Sequence, residues 1–376
     1  MGLNRIAAMD KALIFFLLYC LLWSGVSLTP DPLPVAVHTN MPQAFEGIRS
    51  TEEAFSVFDP QHELEHPVQL CRDADGAPRM YYADVQTPVC IDGICKPVRI
   101  AIYWNLLGAY IGYGLYEGDP LTKYDHDLFE EADYAKLHEL LLNKNAVFRR
   151  KKLSDLFDPN AEPEKQVTYK GEEVDAVSGA TKKAIKDAVV EGALYSCYTI
   201  WQLVHGTADD SIKVALPNLW DEAMQQRFLY SDRADYQFYA LKQLRDSDYA
   251  TYSTRLLQLF TGSIPLFRTK MLKQLPSQYW AEERWQEKLY GSYGQLDVNT
   301  RTLLITGLEK AGEGSALRLL PHYHLMTRNQ LKGYLSFWED RKLPADVRNQ
   351  LTEASHNPNY PYAYLIERFL EAQKTP

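Results

Sequence analysis

Residues 80–104 read MYYADVQTPVCIDGICKPVRIAIYW, and they set the architecture of the first half of the chain. Two segments rich in Val, Ile, Tyr and Trp, Met80–Val89 and Pro97–Trp104, flank the dipeptide Asp92-Gly93. Asp-Gly favours the tight turn of a β-hairpin, and residues of the flanking types are common in strands. The stretch therefore predicts two antiparallel strands joined by a hairpin turn.

Two cysteines, Cys90 and Cys95, lie on either side of this predicted turn. They would face one another across the hairpin, so we expect a cross-strand disulfide, which suits an oxidising compartment. A redox-active pair that passes electrons to a cofactor, or free or metal-bound thiols, are the alternatives. Cys197 lies on the apolar face of a predicted helix and is expected in the core, and Cys71 is either free or paired with Cys197.

Further elements around the hairpin predict an α+β domain over residues 65–206. Strands are expected at Pro67–Arg72 and Val167–Val174, and a helix at Glu130–Asn143, where apolar residues recur at helical spacing. A second helix is predicted from Lys182 to Val204 because its apolar residues form one broad face, and His205-Gly206 ends it. Strands followed by helices in this order are typical of α+β domains.

The segment Asp175-Ala176-Val177-Ser178-Gly179-Ala180-Thr181 separates the last predicted strand from that helix. The first N–H groups of a helix lack partners within the helix, and the helix dipole favours an anion beside them. A small Ser-Gly-Ala step ending in a hydroxyl therefore suits a phosphate, and Lys182, Lys183 and Lys186 add positive charge. The simpler alternative is that Ser178 or Thr181 only caps the helix.

The pattern D-x-x-S-G-A-T resembles the flavinylation motif of the FMN-binding domain family, known from subunits of the sodium-pumping NADH:quinone oxidoreductase and its ferredoxin-dependent relatives. In that family an extracytoplasmic flavin transferase joins FMN, through its phosphate, to the final threonine. The resemblance thus implies FMN bound covalently to Thr181. It also implies that the transferase recognises Asp175 and that Ser178, Gly179 and Ala180 complete the motif. It also implies a redox partner in the membrane or cell envelope.

Two further stretches, residues 103–113 and 121–126, also resemble this family, so that the likeness covers about residues 80–206. An isoalloxazine ring needs a flat apolar surface, for which Trp104 and Tyr110, together with Tyr103 and Tyr113, are candidates. Lys123 and His126 are candidates for holding the phosphate or tuning the reduced ring. The alternatives are ordinary core aromatics for the first group and a solvated loop before a helix for the second.

The N-terminus resembles an export signal. Arg5 and Lys11 precede an apolar run, Ala12–Leu28, after which small residues and prolines follow. Residues 1–28 are therefore expected to be a signal peptide or, if uncleaved, an anchor, and residues 29–64 an extended arm or linker. The rest of the chain would lie outside the cytoplasm, in the periplasm or cell envelope, where the family's flavin transferase works.

Composition limits the classes of function that remain. The chain has 376 residues, of which 46% are hydrophobic, enough for two domains with real cores. A net charge of −9 argues against nucleic-acid binding, which calls for a basic stripe. No G-x-G-x-x-G follows a predicted strand, so direct use of NADH is not indicated. These features favour an electron-transfer flavoprotein over an enzyme with its own substrate, and no catalytic residue is assigned.

Residues 215–376 are predicted to be all-helical. Helical patterns run from Asp221 to Ala372, with breaks at glycines and prolines such as Gly262 and Pro276. Pairs of helices recurring every 35–40 residues suggest a HEAT-like repeat stack, and an irregular helical bundle is the alternative. The corresponding alternative function is an exported helical-repeat binding or scaffold protein without bound flavin.

Residues 62–66 read H-E-L-E-H, the pattern of zinc proteases. That chemistry needs both His62 and His66 on one face of a helix, with Glu63 activating a zinc-bound water. Pro67 ends any helix at this point, so we expect a surface cluster without metal, and a zinc hydrolase is the third and weakest hypothesis. His322 and His324 are likewise not expected to bind metal.

Overall fold

The computed structural model describes residues 34, 36–59, 62–89, 97–123, 127–150, 152, 167–169, 172–174 and 189–373. The chain divides into two compact units between Leu219 and Trp220. The first combines an antiparallel sheet with helices and the second consists of helices, which confirms the predicted fold class.

The core of the first unit is a six-stranded antiparallel sheet with the strand order β1-β6-β5-β4-β3-β2. Its strands are β1 (Ala36–Thr39), β2 (Ile48–Asp59), β3 (Leu64–Asp73), β4 (Pro78–Thr87), β5 (Val98–Trp104) and β6 (Tyr110–Leu115). Strands β4 and β5 pair from Tyr81 opposite Trp104 to Thr87 opposite Val98. This pairing confirms the two strands predicted around the hairpin; residues 90–96, with Cys90 and Cys95, lie outside the described residues.

The expectation of an irregular arm over residues 29–64 was wrong for its described part. This part supplies both edge strands of the sheet, since β1 pairs with β6 and β2 pairs with β3. The arm was predicted because most side chains of β2 are polar and exposed, and only its end, near Val57 and Asp59, is buried. An edge strand needs one hydrogen-bonded neighbour and little apolar character, so hydropathy gives it a weak signal.

The single strand predicted over Val167–Val174 is instead a pair of short strands. β7 (Val167–Tyr169) and β8 (Glu172–Val174) pair antiparallel with one another in a separate two-stranded sheet. β8 ends immediately before Asp175, so a strand does precede the motif segment as expected.

The described residues of the first unit also form the helices α1 (Glu131–Leu142), α2 (Leu194–His205) and α3 (Ala208–Leu219). Helix α1 matches the prediction and packs against β6 and β1, whereas α2 and α3 contact β2. The helix predicted from Lys182 was wrong in its described part: Val189–Ala193 form a turn and the helix begins at Leu194. Gly192 has a φ of 71°, a left-handed conformation that interrupts a helix and favours glycine.

The second unit contains α4 (Glu222–Tyr230), α5 (Ala234–Gln243), α6 (Asp248–Thr251), α7 (Ser253–Gly262), α8 (Pro265–Gln274), α9 (Ser277–Ala281), α10 (Glu283–Gly291), α11 (Val298–Thr306), α12 (Leu308–Ala311), α13 (Glu313–Leu319), α14 (Arg328–Phe337), α15 (Ala345–Ser355) and α16 (Ala363–Ala372). Helices α7, α10 and α13 contact in succession, and so do α8, α11, α14 and α16. The helices therefore form two layers.

The helices of one layer recur at shorter intervals than predicted. Helices α7, α10 and α13 begin at residues 253, 283 and 313, so successive helices of this layer are 30 residues apart rather than 35–40. Buried tyrosines join the layers: Tyr290 donates its hydroxyl to the Leu304 carbonyl oxygen at 3.0 Å, and Tyr334 donates to Ala316 at 3.2 Å. A HEAT-like identity of this stack stays a prediction.

Candidate functional site

The motif segment itself lies outside the described residues. This holds for Asp175, Ser178, Gly179, Ala180 and Thr181, and also for His126. The described residues nearest to it in the chain are those of β8 before it and those of the turn Val189–Ala193 after it. Val189 and Val190, the first described residues after the segment, are buried in the first unit.

Lys123 lies beside the turn Val189–Ala193. A Cβ at Gly192 would be 3.3 Å from the Cβ of Lys123. The Lys123 ammonium donates to Asp133 in the first turn of α1, with Nζ 2.8 Å from Oδ2, and this hydrogen bond raises the pKa of Lys123. The same carboxylate accepts from the backbone N–H of Glu130 at 2.9 Å in a capping box. The predicted phosphate ligand is thus fixed beside Gly192, in the first described turn after the motif segment.

Trp104 and Tyr110, predicted as a surface for the flavin ring, pack inside the first unit. Trp104 is fully buried, and its indole N–H donates to the carbonyl oxygen of Val204 in α2 at 2.9 Å. The Tyr110 hydroxyl is 3.0 Å from Nδ1 of His138, and burial raises the pKa of this phenol. Both rings join the sheet to helices, as the alternative interpretation of core aromatics expects, and we assign no flavin contact to them.

Sequence reasoning missed a cluster of histidine and tyrosine rings between β1, β6 and α1. The His38 ring stacks on Tyr113 and on Tyr134, with centroids 4.8 and 5.6 Å apart. Tyr113 donates its hydroxyl to the Tyr134 carbonyl oxygen at 3.0 Å. Burial, followed by the nearby His38, lowers the pKa of His138, so this imidazole is an acceptor suited to the Tyr110 proton. The cluster was missed because His38 falls in the segment predicted as an arm.

The H-E-x-x-H segment forms no helix, as predicted, but its histidines are not a surface cluster. His62 and Glu63 form a turn that leads into β3, and His66 is only 5% exposed. Nδ1 of His62 lies 3.0 Å from Oδ2 of the buried Asp59, which also accepts from the Thr87 hydroxyl at 2.7 Å. The polar side chains of β2, β3 and β4 therefore meet in the interior at one end of the sheet.

Neither this cluster nor any other in the described ranges brings together three or more His, Cys, Asp or Glu side chains that suit a metal ion. Burial lowers the pKa of His66 against the opposing effect of Asp59 and Asp84, so the ring is held neutral. The Nε2 atoms of His62 and His66 are buried and have no hydrogen-bond partner among the residues that the structure describes.

Cys71 and Cys197 are both buried and free, which decides between the alternatives for Cys71: the two do not pair. Burial raises the pKa of each thiol to about 12. Because the thiolate is the reactive form, both side chains are inert packing residues near neutral pH.

The second unit has a cavity of about 420 Å³ near its first helices. It is lined by aromatic, acidic and amide side chains and by Arg245, whose guanidinium is 3.2 Å from Oδ1 of Asp248. Its size lies in the usual range of small-ligand pockets. The cavity belongs to the helical unit alone.

No family model, curated protein or solved structure matches this chain. Within the described ranges, no helix combines the length and the apolar character needed to cross a bilayer. The predicted signal or anchor, residues 1–28, is not among those ranges.

Proposed function

We propose that this chain is an exported flavoprotein that carries FMN on Thr181 through a phosphoester bond and transfers electrons outside the cytoplasm. The observation that carries the proposal is the sequence D-x-x-S-G-A-T at residues 175–181, which follows a strand and precedes an amphipathic pattern. The export-type N-terminus supports it independently, because the family's flavin transferase works outside the cytoplasm. Bound FMN supplies one- and two-electron chemistry, and the protein positions it.

The ends of the motif segment support an attachment site on the first unit. β8 leads into Asp175, and the buried Val189 and Val190 follow the segment. A flavin attached at Thr181 is therefore tethered at both ends to the same α+β unit. This arrangement limits how far the cofactor can move from the sheet.

Lys123 would contribute positive charge toward the attached phosphate. It lies against Gly192, which is eleven positions after Thr181 in the chain. Its ammonium has three donors, of which one serves Asp133 at 2.8 Å. The remaining donors are available to a phosphodiester oxygen, and the charge-assisted hydrogen bond would stabilise it.

The test is production of the exported chain in cells that have the flavin transferase, followed by intact mass measurement and ultraviolet fluorescence in a denaturing gel. We expect a fluorescent band heavier by one FMN less one water, with the label on the Thr181 peptide. Thr181→Val should abolish the label and keep the circular dichroism spectrum. Thr261→Val, an exposed threonine of the helical unit, is the matched control and should stay labelled. Labelled Thr181→Val would overturn the assignment.

A second candidate function is an exported helical binding protein without flavin. It is favoured by the two-layered stack of helices and by the cavity in the second unit, because stacked helices commonly present binding surfaces. Protein that stays dark and unmodified in the presence of active transferase would support this function, with Thr181 reduced to a capping residue.

A further inference from the structure

Strand β2 forms an open edge of the six-stranded sheet. It is the last strand in the sheet order and pairs only with β3. Residues 49–54 are all exposed. Within the described residues, their backbone makes no hydrogen bond beyond the pairing with β3. An edge of this kind presents a free row of N–H and C=O groups, which is a template for another strand.

The open edge has a regular centre. Ser50, Thr51, Glu52 and Glu53 pair one-to-one with Arg72, Cys71, Leu70 and Gln69. Single-residue bulges at Arg49 and Ala54 flank this run without interrupting it. Further along, the Phe58 N–H approaches the Thr207 hydroxyl of the first unit at 3.5 Å. The part of β2 available to a partner is therefore centred on residues 50–53.

The charges on this run favour one kind of occupant. Arg49 and Glu53 carry opposite charges and have no ion-pair partner among the described residues, whereas Glu52 is already paired with Arg72 at 2.6 Å. We propose that β2 pairs antiparallel with β2 of a second copy of this chain, so that Arg49 of each copy lies opposite Glu53 of the other.

Symmetry selects the register. A two-fold axis perpendicular to the sheet maps each face onto itself, and neighbouring residues of a strand point to opposite faces. The pairing must therefore centre on one residue that opposes itself. Centring on Glu52 or Glu53 would place a carboxylate opposite its own copy, which destabilises a pair of strands. Centring on Thr51 sets Ser50 opposite Glu52 within the regular run. It also brings Arg49, at the bulge that precedes the run, across from Glu53 of the other copy, so that its long side chain can meet the opposite charge twice in each dimer.

Dimerisation in this register joins the two sheets into one continuous sheet. The paired run is short, so the buried area is small and the association is weak and dependent on concentration. The proposal is argued from residues of β2 alone, so its test does not depend on flavin attachment.

The first test is sedimentation velocity of the full exported chain over a concentration series. We expect a reversible monomer–dimer equilibrium. Arg49→Glu and Glu53→Arg should each weaken it at least about tenfold, because each places two like-charged pairs in the dimer. The double variant carrying both changes restores the opposite charges and should return to within about twofold of the original chain. Arg348→Glu, a charge reversal outside the first unit, is the control and should leave the dimerisation unchanged.

Arg49 and Glu53 are exposed and Arg348 is half-buried, and circular dichroism will confirm that each variant folds. A chain that stays monomeric at every concentration would overturn the proposal. So would a dimer that neither single charge reversal weakens, since the association would then use another surface.

Cross-linking tests the register directly. Directly opposed residues of antiparallel strands have Cα atoms about 4.5–5.5 Å apart, which is within disulfide reach. Thr51→Cys, made together with Cys71→Ser because Cys71 lies directly opposite Thr51 in β3, should therefore give a disulfide-linked dimer on mild oxidation. Ser56→Cys, exposed on the same strand but away from the axis, should give no more than the background of the unsubstituted chain. Equal cross-linking of the two variants would exclude this register.

Discussion

At the scale of single residues, the neutral His66 makes folding dependent on pH. Its folded-state pKa is lowered from 6.5 by burial, so the unfolded chain binds a proton more readily than the folded chain. Stability from this group is fully present above about pH 6.5 and is lost as the pH falls below that value.

We therefore expect the free energy of unfolding to fall on acidification from pH 7.5 to 5.5, and His66→Gln to reduce this fall. Titration of one group changes the free energy of unfolding by at most about 1.4 kcal/mol per pH unit. Urea unfolding at three pH values measures the slope. The half-buried His138 and His205, whose pKa values are also lowered by burial, remain in the variant, so the slopes of the two proteins are compared. An unchanged slope in His66→Gln would contradict the prediction.

Single residues also show where sequence reasoning ends. Local patterns place His62 and His66 correctly outside a helix, because Pro67 acts on its immediate neighbours. Their burial beside Asp59 depends on the pairing of β2 with β3, and the approach of Thr87 depends on β4 as well. Local sequence patterns do not indicate such pairing, so the sequence alone predicts a surface cluster.

At the scale of elements, helix packing in the second unit depends on one glycine. Gly307 separates α11 from α12, and a Cβ at this position would overlap the ring of Trp280 in α9. Trp280 is buried, and its indole N–H donates to the Leu275 carbonyl oxygen at 3.3 Å. The ring therefore cannot move aside without losing packing and a hydrogen bond.

Gly307→Ala should lower the free energy of unfolding by about 1–3 kcal/mol, the usual cost of overpacking a core. Chemical denaturation followed by circular dichroism measures the loss. In Gly262→Ala a new Cβ meets no atom within 4 Å, and this variant should be as stable as the original chain. Equal stability of both variants would show that the helices adjust around Trp280.

Elements with a strong local signal were predicted well. The strands flanking Asp92-Gly93 and helix α1 were expected within two or three residues of their observed ends, since their apolar spacing is regular. Strand β2 was missed because an edge strand is stabilised by backbone pairing and not by apolar side chains. In the described part of the helix expected over Lys182–Val204, the left-handed Gly192 interrupts the helix, and the helical residues there run from Leu194. The φ of a glycine depends on the tertiary fold and cannot be predicted from the neighbouring residues in the sequence.

At the scale of the whole molecule, the helical unit is expected to fold on its own. Residues 220–376 form one compact unit. Its interior holds fully buried aromatic side chains, among them Trp285, Tyr290, Tyr334 and Trp338. A region of this size with its own core meets the requirements of an independent domain.

A fragment of residues 220–376 should therefore be helical by circular dichroism and should unfold in one cooperative transition. Removing Trp285, by Trp285→Ala, should lower its midpoint strongly, because a large cavity costs about 3–5 kcal/mol. A fragment that unfolds without a cooperative transition would show that the second unit needs the first for stability.

The burial of Cys71 and Cys197 has a consequence for the timing of maturation. In the folded chain these thiols are shielded and protonated, so oxidants do not reach them. Under the proposed export, an unfolded chain entering an oxidising compartment would expose these thiols to the same oxidant as Cys90 and Cys95. A disulfide formed at that stage with Cys71 would hold β3 away from its place in the sheet. Folding of the sheet before oxidation would therefore protect the predicted Cys90–Cys95 pairing, and slower folding would increase the share of wrongly paired disulfides.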